Sequence, residues 1–223
     1  GRTGGKYGNA VNLNGTSNYI SIADHADFTL DPTQNYTWSG WVKNNNFNQW
    51  STVWSQTINT STFFYFYAHS SNDADAGPVT NGVSVCWFNG SSKLAIHSNN
   101  NVLTAGQWSH IAITYNGSLT AANRFTIYVN GADVTNRSDV ASSGTIAAIN
   151  PTNIRIGANQ PYGEYFNGAI DEIRYYHRLL TLAEIQNDMN TPLGIDNQAP
   201  SIAITGPANN TNVSGVVNIT ANA

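Results

Sequence analysis

Short runs of β-branched and aromatic residues, alternating with polar ones, fill most of the chain up to about residue 176. Their spacing predicts strands at Ala10–Leu13, Tyr19–Ile22, Tyr36–Lys43, Ser51–Gln56, Phe63–His69, Val83–Asn89, Lys93–Ser98, Trp108–Tyr115, Arg124–Val129, Asn153–Gly157 and Gly168–Tyr176. Six Asn-Gly pairs, at 14–15, 81–82, 89–90, 116–117, 130–131 and 167–168, punctuate these runs. Asn-Gly takes the positive-φ conformations of tight hairpins, so the pattern reads as an antiparallel meander. Many short strands with turn signals between them predict an all-β fold, an antiparallel two-sheet jelly-roll sandwich. One helix is expected. Thr181 is its N-cap, Glu184 follows three residues later, and Leu182, Ile185 and Met189 recur at helical spacing.

The pattern changes after Met189. Residues 191–200 carry two prolines, a glycine and few apolar side chains, and read as a linker. Strands are then expected at Ser201–Thr205 and Val213–Ala221. Two strands cannot bury a core alone, so residues 193–223 are expected to be a linker and the start of a second β domain, after a first domain over 1–192.

Composition narrows the function classes. The 223 residues are 40% hydrophobic, enough for a packed core, yet only 10% are charged. Polarity comes instead from uncharged side chains, 32 of them Asn. The net charge of −4 offers no basic stripe for phosphates, so no nucleic-acid partner is expected. No run of 18 apolar residues occurs, and no membrane insertion is expected. The opening residues do not read as a signal peptide. Cys86 is the only cysteine, which excludes an intrachain disulfide or a cysteine-based zinc site.

Five segments, in order, resemble a known family. Residues 7–22 (YGNAVNLNGTSNYISI) resemble the first hairpin of laminin-G-like, concanavalin A-like jelly rolls. Residues 36–42 (YTWSGWV) resemble the next strand, and 106–117 (GQWSHIAITYNG) with 125–131 (FTIYVNG) a later strand pair. Residues 166–185 (FNGAIDEIRYYHRLLTLAEI) resemble the closing strand and short helix. The resemblance implies two curved sheets, core positions at Trp41 and Trp108, and a secreted or cell-surface setting. The tail from Ala199 resembles the first strands of a bacterial immunoglobulin-like module.

The same family includes glucanases that cleave with paired carboxylates. Retaining cleavage needs two carboxyls about 5–5.5 Å apart, which a strand supplies from positions i and i+2 or i+4. No Glu-x-Asp-x-Glu pattern occurs among the 13 acids, and Asp171 and Glu172 are adjacent, hence on opposite faces. No Gly-x-Ser-x-Gly elbow or His-x-x-x-His pair is present. The domain itself is therefore expected not to be an enzyme.

The resemblance also implies a structural calcium at Asp171, shared with the first hairpin through Asn14 and Asn18. The alternative is that Asp171 hydrogen-bonds that hairpin without metal. A second candidate is the 72–77 segment, Asn-Asp-Ala-Asp-Ala-Gly, set against a plain solvated loop.

Ligand contact is expected from aromatic side chains. Residues 63–67 read Phe-Phe-Tyr-Phe-Tyr, so Phe63, Tyr65, Tyr67 and His69 share one face and Phe64 and Phe66 the other. Only one face of a strand in a two-layer sandwich points into the core. The Tyr65, Tyr67 and His69 row, joined by Trp87 and flanked by Trp50 and Tyr162, is expected to present an aromatic surface to sugars. The expected function is a non-catalytic carbohydrate-binding module of a larger secreted bacterial protein, with a polysaccharide as partner. A protein-binding adhesion module of a surface protein and a spacer before immunoglobulin-like repeats are the alternatives.

Overall fold

The computed structural model describes residues 1–47, 50–73, 76–150, 152–159, 162–194, 203–206 and 220–222, with backbone alone at 71–73, 203–206 and 220–222. The chain divides into two compact units, Gly1–Pro192 and Leu193–Ala223.

The first unit contains β1 (Arg2–Gly4), β2 (Asn9–Asn14), β3 (Ile20–Ile22), β4 (Asn35–Asn44), β5 (Ser51–Asn59), β6 (Thr62–Asp73), β7 (Gly77–Asn89), β8 (Ser92–His97) and β9 (Ser109–Asn116). A short helix α1 (Ala121–Arg124) precedes β10 (Phe125–Val129), β11 (Ala132–Asp133), β12 (Ala141–Ser143), β13 (Ile154–Ile156), β14 (Ala158–Asn159), β15 (Glu164–Tyr165), β16 (Asn167–Tyr176) and helix α2 (Leu182–Asn190). One sheet has the order β1-β2-β16-β4-β9-β10-β11 and the other β12-β8-β7-β6-β5-β13-β3, all antiparallel. This is the two-sheet sandwich that the alternation predicts.

The eleven strands predicted up to Tyr176 are all present. β6 and β7 extend further than the sequence suggests, to Asp73 and from Gly77. Ala74, Asp75 and the side chains of 71–73 lie outside the described residues. Asn-Gly closes two hairpins. Asn130 and Gly131 take φ of 49° and 75° between β10 and β11, and Gly90 takes 64° between β7 and β8. Helix α2 begins with the expected capping box between Thr181 and Glu184.

The core lies between the sheets, where three tryptophans each meet an aromatic ring of the facing sheet. Trp38 stacks on Phe64 with centroids 4.6 Å apart, Trp54 on Tyr175 at 5.7 Å, and Trp87 lies against Tyr115 at 5.1 Å. The Trp87 Nε1–H donates to the Ala147 carbonyl. Trp41 is buried, as the resemblance implies, but not between the sheets, and Trp108 is not a core residue. Tyr36, Trp38 and Val42 point inward on β4, so Trp41 has the opposite parity. It is buried on the outer face, beneath the Lys6 ammonium at 4.1 Å and the edge of Tyr7. Trp108 precedes β9, is only half-buried, and lies under Lys43.

Helix α2 covers the rest of that outer face. Ile185 and Leu180 pack on Ala112. Arg174 donates to the carbonyls of Asp188 and Thr191 and pairs with Glu172 at 3.2 Å, so it satisfies C-terminal acceptors of α2. The pairing is possible because β16 bulges. Glu172 and Ile173 together oppose Gly40, Glu172 takes φ of 55°, and Arg174 returns to the outer face. A Cβ on Gly40 would collide with Ile173 Cδ1 and lie 3.3 Å from its Cα, so any larger residue there would have to displace the Ile173 side chain.

Two histidines are buried without charge. Burial, with His97 nearby, lowers His69 to about 4. Burial, with the Arg174 guanidinium nearby, lowers His110 to about 4, and among the described residues neither ring nitrogen of His110 has a hydrogen-bond partner. The unfolded chain protonates both near 6.5, so their contribution is full above that pH and is lost as pH falls toward 4. Urea unfolding should therefore show stability falling from pH 6.5 to 4. His110→Phe should flatten that slope by about half, and an equal slope in the variant would contradict this.

The described part of the second unit is one strand pair, β17 (Ala203–Gly206) with β18 (Thr220–Asn222). Most of the strand expected at Val213–Ala221 lies outside the described residues.

Candidate ligand-binding site

Tyr65, Tyr67 and His69 share one face of β6 as the alternation predicts, but that face is covered. Tyr65 is 2% exposed, Tyr67 1% and His69 0%. Rings stack along the row, Phe63 on Tyr65 at 5.1 Å and Tyr65 on Tyr67 at 4.1 Å. The β14–β15 hairpin lies over part of this face. Tyr67 Oη donates to Glu164 at 2.5 Å, Asn159 Nδ2 donates to both Tyr67 Oη and Glu164 at 2.9 Å, and Thr57 donates to Asn159 Oδ1. Ser55 and Thr52 donate to the carbonyls of Ala158 and Glu164. His69 Nε2 meets Ser84 Oγ at 2.7 Å. The aromatic row is thus a second buried layer, with Ala76, Cys86 and Ala95 also packed in it.

Trp87 is not part of that row. It pairs directly with Phe64 across β6 and β7, hence shares the inward face, and is fully buried. Trp50 and Tyr162 lie at the edge of the covered face. Trp50 is half-buried, edge-on to Tyr67 at 5.5 Å. Tyr162 is 43% exposed, edge-on to Phe63, and donates to the Thr60 carbonyl.

The residues expected to share a calcium are not brought together. Asp171 stands one step beyond the Ile170–Val11 pair, whereas Asn14 pairs with Asn167, roughly 13 Å away along the strands. The Asp171 carboxylate accepts the N–H groups of Tyr7 at 3.1 Å and Glu172 at 3.0 Å. Asn14 Oδ1 accepts three N–H groups, from Thr16, Ser17 and Asn18. Asn14 Oδ1 caps its own turn, the Asp171 carboxylate holds the N-terminal turn at Tyr7, and the two stand too far apart to ligate one ion.

A cleft of about 500 Å³ opens at one end of the sandwich, and sequence reasoning missed it. Asn46 and Phe47 come from the β4–β5 connection, Ser70 and Asn81 from β6 and β7, and Leu103, Thr104 and Ala105 with Asn101 from the segment before β9. Asn44 ties these segments together. Its Nδ2 donates to the Ala68 carbonyl, and its carbonyl accepts the Gly106 N–H at 2.7 Å. The β6–β7 ladder bulges here, with Thr80 and Asn81 opposing Ser70 alone, and Asn81 takes φ of 46°. Bulges of this kind re-aim side chains beside binding sites. Asn101 is also left-handed, at φ of 59°. Backbone bonds lock both residues, Asn101 N–H to Thr80 O at 2.6 Å and Leu103 N–H to Asn81 O at 2.9 Å.

The chain belongs to the concanavalin A-like lectin/glucanases superfamily, whose laminin-G-type family model matches residues 14–186. No curated protein sequence matches. Among solved structures, domain 4 of AbnA, an extracellular arabinanase from Geobacillus stearothermophilus in complex with arabinotriose, is similar with a TM-score of 0.58 and 19% identity, over 84% of this chain and 79% of that one. A heptameric SAP-like pentraxin from Limulus polyphemus matches with a TM-score of 0.52 and 16% identity, over 78% of each chain. The LG4-5 domains of mouse laminin alpha1 match with a TM-score of 0.52 and 12% identity, over 74% of this chain and 40% of that one. These likenesses establish the shared fold.

Tyr67→Phe tests the covered face. It keeps the ring stack and removes the hydroxyl that joins Glu164 and Asn159. Leaving such partners unsatisfied costs about 2 kcal/mol, or roughly 4–8 °C in Tm for a domain of this size. Calorimetry should show that loss. A Tm equal to wild type would mean that the hairpin is not held by this bond.

Proposed function

We propose that this domain is a non-catalytic glycan-binding module that attaches a larger secreted or cell-surface bacterial protein to a polysaccharide. The observation that carries the reading is the lining of the end cleft. Ala105 is exposed and the largely buried Phe47 and Leu103 form an apolar floor, while Asn46, Asn81, Asn101, Ser70 and Thr104 offer amides and hydroxyls. Sugars combine apolar C–H faces with hydroxyl rims, so this mixture is complementary to them. The family fold and the arabinotriose in the arabinanase domain support the same reading by likeness.

The described cleft lining has no carboxylate, so hydrolysis by paired acids has no support there. Affinity electrophoresis through gels containing arabinan, xylan, β-glucan, pectin or a sulfated polysaccharide tests the function. Retardation in at least one gel, without release of reducing sugar, is the expected result. Free migration in every gel would overturn the reading, and sugar release abolished by one Asp or Glu substitution would turn it into an enzyme.

A further inference from the structure

Resting on the glycan-binding reading, we infer that the end cleft selects neutral sugars, and that the side-chain amides of Asn81 and Asn101 read their hydroxyls without help from charge or calcium. The first ground is what these amides are not doing. Many Asn side chains in this chain cap turns, among them Asn14, Asn59, Asn116 and Asn136. Asn101 is exposed and Asn81 half-buried at the cleft, and among the described residues neither amide has a hydrogen-bond partner. The hydroxyls of Ser70 and Thr104 likewise make no bond to a described residue, although the ladder and its bulge hold the backbones of Ser70, Asn81 and Asn101 and the Thr104 carbonyl accepts the Gln107 N–H at 3.2 Å.

The second ground is conformational. Apart from Asn130 in a hairpin turn and Glu172 in the β16 bulge, the only described non-glycine residues with positive φ are Asn81 and Asn101. Glycine would take those angles with less strain. Two left-handed residues with side chains converge on one cleft, where strained backbone commonly marks a working surface.

The third ground is charge. No Asp, Glu, Lys or Arg is among the described lining residues. An amide both donates and accepts, and so does a hydroxyl, so the two satisfy each other in either direction. The carboxylate of a uronate, or a sulfate group, only accepts. It would use the Nδ2–H groups and leave each Oδ1 facing another oxygen, with no cation to offset the loss of hydration.

Asn81→Gly and Asn101→Gly isolate the amides, because glycine keeps the positive φ and removes only the side chain. The wild-type chain and both variants are run through gels of neutral arabinan, xylan and β-glucan and of acidic polygalacturonate and dextran sulfate. Each gel is run at low salt and at about 0.5 M salt, where exposed charges are screened, with and without chelator. The inference expects retardation by a neutral polysaccharide that survives salt and chelator. It expects each variant to lose about tenfold in affinity, while Tm stays within about 2 °C of wild type. Retardation by acidic polymers alone, or lost in salt or chelator, would overturn the neutral selection and leave the glycan reading standing. Unchanged affinity in both variants would overturn the assignment to Asn81 and Asn101. Retardation by no polymer would remove the glycan reading itself, and this inference with it.

Discussion

The bond between Tyr67 and Glu164, shared by Asn159, decides where this domain can meet a ligand. These three side chains lie on the outer face of the second sheet and close a triangle of hydrogen bonds between 2.5 and 2.9 Å. A buried polar group left unpaired is costly, so this face is stable only with the hairpin in place. The hairpin in turn keeps water from Tyr65 and Tyr67, and the aromatic row becomes packing. The outer face of the first sheet meets the same fate by other means. Helix α2, held by Arg174 at its C-terminal carbonyls, and the turn at Lys6 and Tyr7 bury Trp41 and His110. The sandwich therefore has three buried contact layers where a bare two-sheet fold has one, and the polar cleft lies at its end.

That arrangement explains how a chain with so little charge stays specific in its packing. Large rings meet ring partners in the core, Trp38 with Phe64 and Trp54 with Tyr175, and these geometries favour one register. Asn residues fix the turns by accepting N–H groups from their own loops, as Asn14 does three times. Asn81 and Asn101 depart from that use, and they meet at the cleft.

Much of the fold was legible in the chain. Strand positions followed from runs of β-branched and aromatic residues, and the start of α2 from Thr181 and Glu184. The inward face of β7 was legible too, because Val83, Val85 and Trp87 alternate with Ser84 and Cys86, so the sequence itself argued for Trp87 as core. Trp41 was legible by its parity with Thr37 and Ser39. The cover over Tyr67 was not, because it comes from a hairpin about 90 residues later and no local pattern announces it. The bulge at Glu172 was equally hidden, since period-two alternation places Asp171 and Glu172 on opposite faces and has no signal for an inserted residue. The cleft escaped notice because it is assembled from three distant segments, and because Asn81-Gly82 reads as a hairpin turn yet sits inside β7.

The central claim is that ligand meets the end cleft while the aromatic face stays closed. Chemical-shift mapping on isotope-labelled protein, titrated with oligosaccharides of a polymer that retards it, measures this directly. The account predicts shifts in the backbone of 45–47, 79–82 and 101–105 and in the Nδ2–H signals of Asn81 and Asn101, with Tyr65, Tyr67 and Glu164 unmoved. Shifts concentrated at Tyr65, Tyr67 and the 158–165 hairpin, with the cleft unmoved, would contradict it.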